Sequence, residues 1–327
     1  MINEELREPA DAPLALADAL SLSKTLLDQT LAATPLPFRP RTEYLTRAHG
    51  KFLRAQAVLI SSQDETGVRP AAVKAAAAVE LLHLATLVHD DVIDNADTRR
   101  KQPTLRKQFG EKQAVITGDY IFCLALRLAA EAAANEKNLD GDIPNIMEKV
   151  CMGELLQSIN HRNFLLSGLG YLRIISGKTA ALFEGSFYAG ARLCKAPDTD
   201  FGQYAAIGWH LGMIFQLADD CMDYEATEEQ AQKTVLSDFE QGVVTLPLIF
   251  AIRQQPSVAK RAYDGKITRE EVRKAVREEG GTAFTRKVAR IYYDRALRLL
   301  DSLNAPAFKK EQIAVLLKQA MGPTFQG

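Results

Sequence analysis

The feature that most constrains the fold is a helical hydrophobic period that recurs along nearly all of the 327 residues. Leu16, Leu20 and Leu27 belong to a first amphipathic segment, which the proline-rich stretch TPLPFRP at 34–40 ends. No alternating apolar and polar series of the kind that strands show is present, and no β-hairpin signal. The pattern predicts an all-α fold. The further predicted helices cover residues 41–62, 69–96, 112–135, 143–163, 170–192, 199–225, 244–254, 267–278, 282–302 and 306–320.

The stretch LVHDDVIDNADTRR at 87–100 puts three carboxylates at the edge of an apolar helix. Asp90 and Asp94 lie one turn apart on one helical face, and Asp91 is rotated by roughly 100° from Asp90. Like charges so close together repel, so either a raised pKa or a bound metal ion must relieve them. We therefore expect the three side chains to converge on one cation.

The stretch QLADDCMDY repeats this arrangement with Asp219, Asp220 and Asp223, again after an apolar helical run. One such motif is ordinarily a solvated helix end. Two copies at the edges of a core are not explained by surface charge alone. Mg²⁺ is usually held by one or two carboxylates together with phosphate oxygens and water. The two sets therefore predict a magnesium site for a polyphosphate, with the carboxylates facing each other across a cavity.

Several helices and no long linker separate the two acidic motifs. This favours a single domain over residues 1–327, built as one large helical bundle around a deep central cavity. Predicted helices of about 20 to 28 residues, with a rise of about 1.5 Å per residue, are long enough to enclose a long apolar ligand.

Composition excludes several classes of partner. A formal net charge of −1 gives no general attraction to nucleic acid or to an anionic membrane. The apolar run at 71–88 is interrupted by Lys74, Glu80 and His83, and the N-terminal segment lacks a signal-peptide layout. We expect no nucleic-acid partner, no stable membrane insertion and a cytoplasmic location.

The cysteines show no CxxC spacing, and most lie within apolar helical patterns. We expect buried free thiols in a reducing compartment. They are Cys123, Cys151, Cys194 and Cys221.

Basic residues occur near both acidic motifs, where a polyphosphate would need them. They lie in HGKFLR, directly after the first motif, in SGKT and beyond the second motif. They are Lys51, Arg54, Arg99, Arg100, Lys178 and Lys233, with Thr179 next to Lys178.

Taken together, these motifs resemble those of the trans-isoprenyl diphosphate synthases of the polyprenyl synthetase family, and in particular medium-chain, long-chain and geranylgeranyl synthases. The resemblance covers nearly the whole chain. The matching landmarks, in the family's order, are GKFLR (50–54), ELLHLATLVHDDVIDNADTRR (80–100), GDY (118–120), GELLQ (153–157), YLRIISGKTAALF (171–183), FQLADDCMDY (215–224) and KTVLSDFEQGVVTLPLI (233–249).

The resemblance implies the isoprenoid synthase fold, a homodimer and elongation of an allylic diphosphate (dimethylallyl, geranyl or farnesyl) by isopentenyl diphosphate, with Mg²⁺ as cofactor. It implies that Mg²⁺ is bound by Asp90, Asp91, Asp94, Asp219, Asp220 and, less directly, Asp223. It implies that the allylic diphosphate is held by Arg99, Lys178, Gln216 and Lys233, with Thr179 beside it. It implies that isopentenyl diphosphate is bound by Lys51, Arg54, His83 and Arg100.

No nucleophilic side chain is needed for this chemistry. Metal ions and basic residues stabilise the charge that develops on the departing diphosphate, and an apolar pocket protects the allylic cation from water. In the family, the released diphosphate is thought to take up the final proton. We therefore expect no aspartate to act as a conventional general base.

Product length is expected to depend on the helix of the first acidic motif. Family members that stop at farnesyl carry aromatic residues four or five positions before the first aspartate, where this chain has Thr86 and Ala85. Leu81 and Leu82 lie one turn further up. The sequence predicts a product longer than farnesyl, from geranylgeranyl to a longer polyprenyl chain, and predicts that Ala85→Phe shortens it.

The chain departs from the family pattern at Lys101, Gln232 and Val243, and its C-terminal tail lacks the arginine that many relatives use near the isopentenyl site. These differences concern affinity and closure of the site. Three alternatives stay open: the catalytic subunit of a two-component synthase, a terpene cyclase, and a non-catalytic partner subunit. Cyclases have no use for a second diphosphate site, and non-catalytic subunits typically lose aspartates that this chain keeps.

Overall fold

The computed structural model describes residues 12–47, 50–100, 102–134, 142–194, 196, 199–225 and 237–322. Its helices confirm the all-α prediction. The single domain over 1–327 stays a prediction. In chain order the helices are α1 (Leu16–Ala32), α2 (Arg39–Leu45), α3 (Leu53–Ser62), α4 (Pro70–Ile93), α5 (Leu105–Phe109), α6 (Glu111–Ala133), α7 (Asp142–Ile159), α8 (Gly168–Ile175), α9 (Ala181–Leu193), α10 (Phe201–Glu225), α11 (Ser237–Glu240), α12 (Leu246–Gln254), α13 (Ser257–Tyr263), α14 (Arg269–Glu278), α15 (Gly281–Ser302) and α16 (Ala307–Met321).

The long helices α4 and α10, which carry the acidic motifs, are both core helices. α4 packs against α6, α3, α1 and α9, and α10 packs against α9, α15 and α16. α9 contacts both of them and so joins the two halves of the core. Burial of the apolar faces of these helices is the main force that holds the bundle together. The motifs therefore sit on the most firmly packed elements of the protein.

The helix predicted over 41–62 is two helices in the structure, α2 and α3. Phe52, which precedes α3, has a φ of 54° in the left-handed region, so the chain changes direction there. An L-residue pays for that conformation with steric strain, which the buried Phe52 ring offsets by its packing. The prediction of one helix was wrong because it ran through the mostly polar stretch TRAHGK at 46–51, which separates α2 from α3.

The helix predicted over 170–192 is interrupted by a π-helical turn at Ser176–Ala180, between α8 and α9. A π turn inserts one extra residue and rotates the side chains that follow, and such turns are frequent at functional sites. This segment contains both Lys178 and Thr179.

Two smaller expectations also fail. A short antiparallel hairpin follows α4, with β1 at Thr98–Arg99 paired to β2 at Gln102–Pro103. Cys123 and Cys151 are exposed on α6 and α7, whereas Cys194 and Cys221 are buried as expected. The prediction was misled by apolar neighbours such as Ile121, Leu124 and Val150, which are buried, whereas the two cysteines lie on the outer faces of the same helices.

Two helices, α4 and α6, are long and apolar enough to cross a membrane by length and composition, with mean hydropathies of 1.6 and 1.3. This is weak evidence, because core helices pass the same test. More than half of the α4 window, 56%, is buried inside the protein. We therefore interpret α4 as a core helix.

Candidate active site

A cavity of about 440 Å³ lies between α4, α7, α8, α9 and α10. Both acidic motifs contribute to its wall, as do the π-helical turn and the segment that follows α11. Its polar lining includes Asp90, Asp94, Asp219, Asp220, Arg99, Arg100, Arg54, His83, Lys178, Thr179 and Gln216. The structure thus brings most of the residues selected from sequence around one space.

The first acidic motif is divided between two sides of α4. Asp90 and Asp94 face the cavity, one turn apart. Asp91 lies outside it, next to a smaller pocket, where its Oδ1 accepts a hydrogen bond from Nε of Arg99 at 2.8 Å. The expectation that all three carboxylates converge is therefore not met. The rotation of roughly 100° between neighbouring helical residues separates Asp91 from the other two.

The second motif is divided in the same way on α10. Asp219 and Asp220 line the cavity, whereas Asp223 is fully buried beside the backbone N–H of Asp238. Asp220 accepts hydrogen bonds from the Tyr171 hydroxyl and, at 2.8 Å, from the Gln216 amide. These donors fix the orientation of its carboxylate.

Lys178 and Thr179, in the π-helical turn, connect the two motifs. Nζ of Lys178 lies 3.6 Å from Asp90 of α4 and 2.8 Å from Glu154 of α7. The Thr179 hydroxyl donates to Gln216 of α10 at 2.7 Å, and Gln216 in turn donates to Asp220. The contacts of Lys178 with the first motif and of Thr179 with the second are thus joined through the main chain of this turn.

Two glycines allow this turn to approach α7. A Cβ on Gly153 would overlap the backbone N of Lys178, and a Cβ on Gly177 would lie 2.7 Å from the carbonyl oxygen of Lys149. Neither space accommodates a side chain. The position of Lys178 is thus determined by contact between main chains.

The carboxylates of the cavity are electrostatically costly without a cation. Burial, and then the negative charge of Asp90, raises the pKa of Glu154 to about 7. Burial raises the pKa of Asp220 to about 7, against the hydrogen bonds from Tyr171 and Gln216. Burial also raises the pKa of Asp94. Burial lowers the pKa of Lys178, but Asp90 and Glu154 outweigh it, so the net shift is upward. The site as a whole favours additional positive charge.

Another part of the wall is basic. Arg54, His83 and Arg100 all line the cavity. Burial, followed by the charges of Arg54 and Arg100, lowers the pKa of His83 well below its ordinary value, so His83 is a neutral hydrogen-bonding group at pH 7. Arg54 and Arg100 are therefore the cations available to an anion here.

Two basic residues selected from sequence are not placed at this wall. Lys51 is exposed in the loop before α3 and is not among the residues that line the cavity. Lys233 lies outside the described residues, as do Gln232 and Lys101. Val243, the third departure from the family pattern, lines the cavity.

A family model described as polyprenyl synthetase matches residues 38–279, most of the chain. The chain belongs to the polyprenyl synthetase family. It is 34% identical over 292 residues to heptaprenyl diphosphate synthase component 2 of Geobacillus stearothermophilus, covering 88% of this chain and 91% of that one. It is 31% identical over 266 residues to geranylgeranyl diphosphate synthase of Saccharolobus solfataricus, covering 79% of each.

The solved structures agree with this assignment. The polyprenyl synthase of Caulobacter crescentus, crystallised with calcium and isoprenyl diphosphate, superposes with a TM-score of 0.83 at 30% identity, over 93% of this chain and 94% of that one. The family membership and the fold of this chain establish it as an enzyme, a prenyltransferase of the trans-polyprenyl diphosphate synthase class. The resemblance drawn from the sequence motifs is confirmed.

A polyprenyl synthetase is expected to bind a divalent metal, and the donor set fits one. Among the described residues, no three His, Cys, Asp or Glu side chains form a ready metal cage. Mg²⁺ does not need one, since it takes one or two carboxylates and completes its shell with phosphate oxygens and water. Asp90, Asp94 and Asp219 supply such carboxylates around a cavity whose acids are destabilised by burial and mutual repulsion.

Sequence reasoning assigned no role to several polar residues of the polyprenyl synthetase cavity. Glu154 and Tyr171 bond directly to Lys178 and Asp220. Both lie in stretches that carried the family resemblance, but each is a single polar residue in an apolar helical pattern. The other polar residues are Gln157, Asn160, Asp238 and Gln241.

The residues expected to set product length differ in whether they line the cavity or are buried in the core. α4 is described in full, and of its residues before Asp90 those that line the cavity are His83, Thr86 and Leu87. Leu81, Leu82 and Ala85 are buried in the core and lie outside the lining. A phenylalanine at Ala85 would overpack the core before it could project into the cavity. Of the four positions expected to set product length, Thr86 is therefore the one that faces the cavity.

Proposed function

We propose that this polyprenyl synthetase elongates an allylic diphosphate by head-to-tail trans condensation with isopentenyl diphosphate, releasing diphosphate, with Mg²⁺ as its cofactor. The observation that carries the proposal is the shared cavity. It combines carboxylates from two helices, a basic wall and apolar side chains from α4, α7, α8 and α9. The catalytic set is Asp90, Asp94, Asp219, Asp220, Arg99 and Lys178, to which Lys233 is added from the sequence alone.

The leaving diphosphate is stabilised by charges fixed before the reaction. Lys178, held between Glu154 and Asp90, donates hydrogen bonds where negative charge develops on the departing oxygens. Asp90, Asp94 and Asp219 would hold Mg²⁺, which supplies further stabilisation of that charge when bound. Asp91 and Asp223 do not line the cavity themselves, but they bind Arg99 and the backbone N–H of Asp238, which do.

The second substrate binds at the basic wall. Arg54 and Arg100 supply cations for the diphosphate of isopentenyl diphosphate, and neutral His83 supplies a hydrogen bond. This orientation would hold the double bond against the allylic carbon while Leu87, Leu182 and Phe215 exclude water. A terpene cyclase has no need of such a wall.

A product assay by mass tests the proposal. The purified chain is incubated with isopentenyl diphosphate and each allylic primer in turn, with and without Mg²⁺. The products are then dephosphorylated and their masses are measured by mass spectrometry. We expect elongation that stops when the metal is chelated. Cyclised hydrocarbon without consumption of isopentenyl diphosphate would instead support the cyclase alternative.

The same assay addresses the two-component alternative. One relative is named as component 2 of a heptaprenyl synthase. Because the catalytic residues are intact here, we propose that the chain is active by itself. Elongation that appears only after a second protein is added would assign it to the catalytic half of a two-component enzyme.

We predict that Thr86→Phe shortens the product to farnesyl, whereas the parent chain elongates beyond farnesyl. Thr86 lies one turn before Asp90 and faces the cavity, so an aromatic ring there closes the space needed by a fourth isoprene unit. Mass analysis of the products from a farnesyl primer measures the effect. Thr86→Ser, which adds no bulk, should keep the parent product length. An unchanged product length in Thr86→Phe would exclude Thr86 from this role.

We propose that the enzyme is a homodimer in the cytoplasm and that α6 and α7 supply its interface. On α7 the exposed side chains of Met152, Leu155 and Ile159 follow helical spacing and form one apolar stripe. On α6, Ile116 and Leu126 are exposed. Apolar stripes of this kind are typical of an interface between subunits.

We predict that Leu155→Glu converts the dimer into a monomer, because a carboxylate in an apolar interface loses its hydration without gaining a partner. Light scattering after size exclusion measures the mass. Ile291→Glu, an equally exposed apolar position on α15, serves as the matched control and should stay dimeric. A dimer that survives Leu155→Glu with unchanged affinity would place the interface elsewhere.

A further inference from the structure

Glu80 is a partly buried carboxylate that lies behind the basic wall of the cavity. It is on the same stripe of α4 as His83, Leu87 and Asp90, but it does not line the cavity. Its Oε1 instead accepts a hydrogen bond from the backbone N–H of Ala55 at 2.9 Å, in the first turn of α3. The mechanism above assigns it no role.

The first turn of α3 needs such an acceptor. The first four N–H groups of a helix have no partner within the helix, and a side chain at the N-cap usually accepts from one of them. Phe52 occupies the N-cap of α3 and supplies no such bond. A carboxylate from α4 takes its place, and its negative charge also complements the positive end of the α3 dipole.

This turn carries Arg54, a cation of the basic wall. The Arg54 guanidinium lies 4.4 Å from the centre of the Phe183 ring, and within the described structure its buried Nε has no hydrogen-bond partner. The guanidinium is therefore placed by its contact with the Phe183 ring and by the α3 backbone that carries it. Burial lowers the pKa of Arg54 to about 10, and the negative charge of Glu80 opposes that shift.

We propose that Glu80 is a positioning residue for the isopentenyl diphosphate site: its carboxylate anchors the first turn of α3 and so holds Arg54 at the cavity wall. The inference rests on the proposed function and adds a residue that does not touch substrate. It predicts that the acceptor oxygen of Glu80 matters more than its charge. Glutamine, which keeps an oxygen at the same reach, should preserve the site.

The test compares Glu80→Ala, Glu80→Asp and Glu80→Gln in steady-state elongation with both substrates varied. We expect Ala, which has no acceptor, and Asp, which is too short to reach α3, each to raise KM for isopentenyl diphosphate about tenfold, the effect of one lost hydrogen bond to a carboxylate. KM for the allylic diphosphate should change less than about twofold in all three variants, and Gln, which keeps one acceptor oxygen but not the charge, should keep KM for isopentenyl diphosphate closer to the parent value than Ala or Asp does. If Glu80→Ala does not fold, Glu80→Asp carries the test.

A double-mutant cycle tests whether Glu80 affects KM for isopentenyl diphosphate through Arg54. If Glu80 acts through Arg54, Glu80→Asp should add nothing to the raised KM of Arg54→Gln. Thr268→Ala removes a helix-start acceptor of α14, away from the cavity, and controls for general loss of stability. It should leave both KM values at the parent level.

Different results overturn the inference and the proposed function. A parent enzyme that does not elongate would refute the function itself. An active parent whose KM for isopentenyl diphosphate is unaltered by Glu80→Asp would refute the role of Glu80, and so would additive effects of Glu80→Asp and Arg54→Gln. Equal increases of both KM values would indicate a general structural role instead.

Discussion

Replacing Asp90 with asparagine should lower kcat for elongation by about 10³-fold, the order of effect found when a group that acts on charge in the transition state is removed. Asp90 faces the cavity, lies 3.6 Å from Nζ of Lys178 and is one turn from Asp94. The amide cannot supply the negative charge that a divalent cation requires. Single-turnover measurements at saturating substrate, over a range of Mg²⁺ concentrations, would separate chemistry from metal affinity.

The motif supplies its own comparison. Asp91→Asn is the same chemical change one residue away, but the Asp91 carboxylate does not line the cavity and is paired with Arg99. Its loss should cost mainly stability, and less than a tenth of the Asp90 effect on kcat. Asp301→Asn, at an exposed position on α15, should alter neither quantity. Equal losses of kcat for Asp90→Asn and Asp91→Asn would contradict the division of the motif that the structure shows.

Replacing Lys178 with glutamine should lower kcat by about 10²-fold and weaken binding of the allylic diphosphate. Lys178 is the cation that lies between Glu154 and Asp90, and its net pKa shift is upward, so it stays charged throughout the neutral range. Glutamine keeps a donor but not the charge. The rate of product formation (kcat) and KM for the allylic diphosphate would be measured with isopentenyl diphosphate in excess.

A matched variant tests whether the loss of any lysine–glutamate pair would have the same effect on kcat. Lys149→Gln, on α7, breaks a similar lysine–glutamate pair with Glu184 at an exposed position and should leave kcat unchanged. In Lys178→Gln the remaining carboxylates repel each other, so the double variant Lys178→Gln/Glu154→Gln should recover stability without recovering turnover. Recovery of turnover in the double variant would show that Lys178 serves only to neutralise Glu154.

Local sequence patterns predicted the acidic motifs well, because their placement depends on the helical period alone. The period put Asp90 and Asp94 on one face, and the structure keeps them together. The partner of Asp91 was not predictable in this way. Arg99 reaches it from the hairpin after α4, and the bend of that hairpin depends on Arg100, whose φ of 51° no apolar pattern signals.

Contacts between distant segments account for the other misses. Tyr171 and Asp220 are separated by 49 positions, and their hydrogen bond exists because the fold brings both residues to the wall of one cavity. The π-helical turn at Ser176–Ala180 consists of small and polar residues between two apolar helical segments, and the period of those segments does not reveal its extra residue. The left-handed Phe52 stands directly before α3, where its buried ring packs in the core. Each feature depends on tertiary structure that a single stretch of sequence does not contain.

The main-chain contact at Gly153 and Gly177 means that the shape of the site and its charge are determined at different positions. Shape is set where backbones touch, and any added atom there displaces a whole helix. The charge of the site is set by side chains that project from these backbone segments. Such side chains can be substituted with little movement of the backbone. Substitutions that change the charge of the site are therefore expected to leave its shape in place, provided that both glycines are kept.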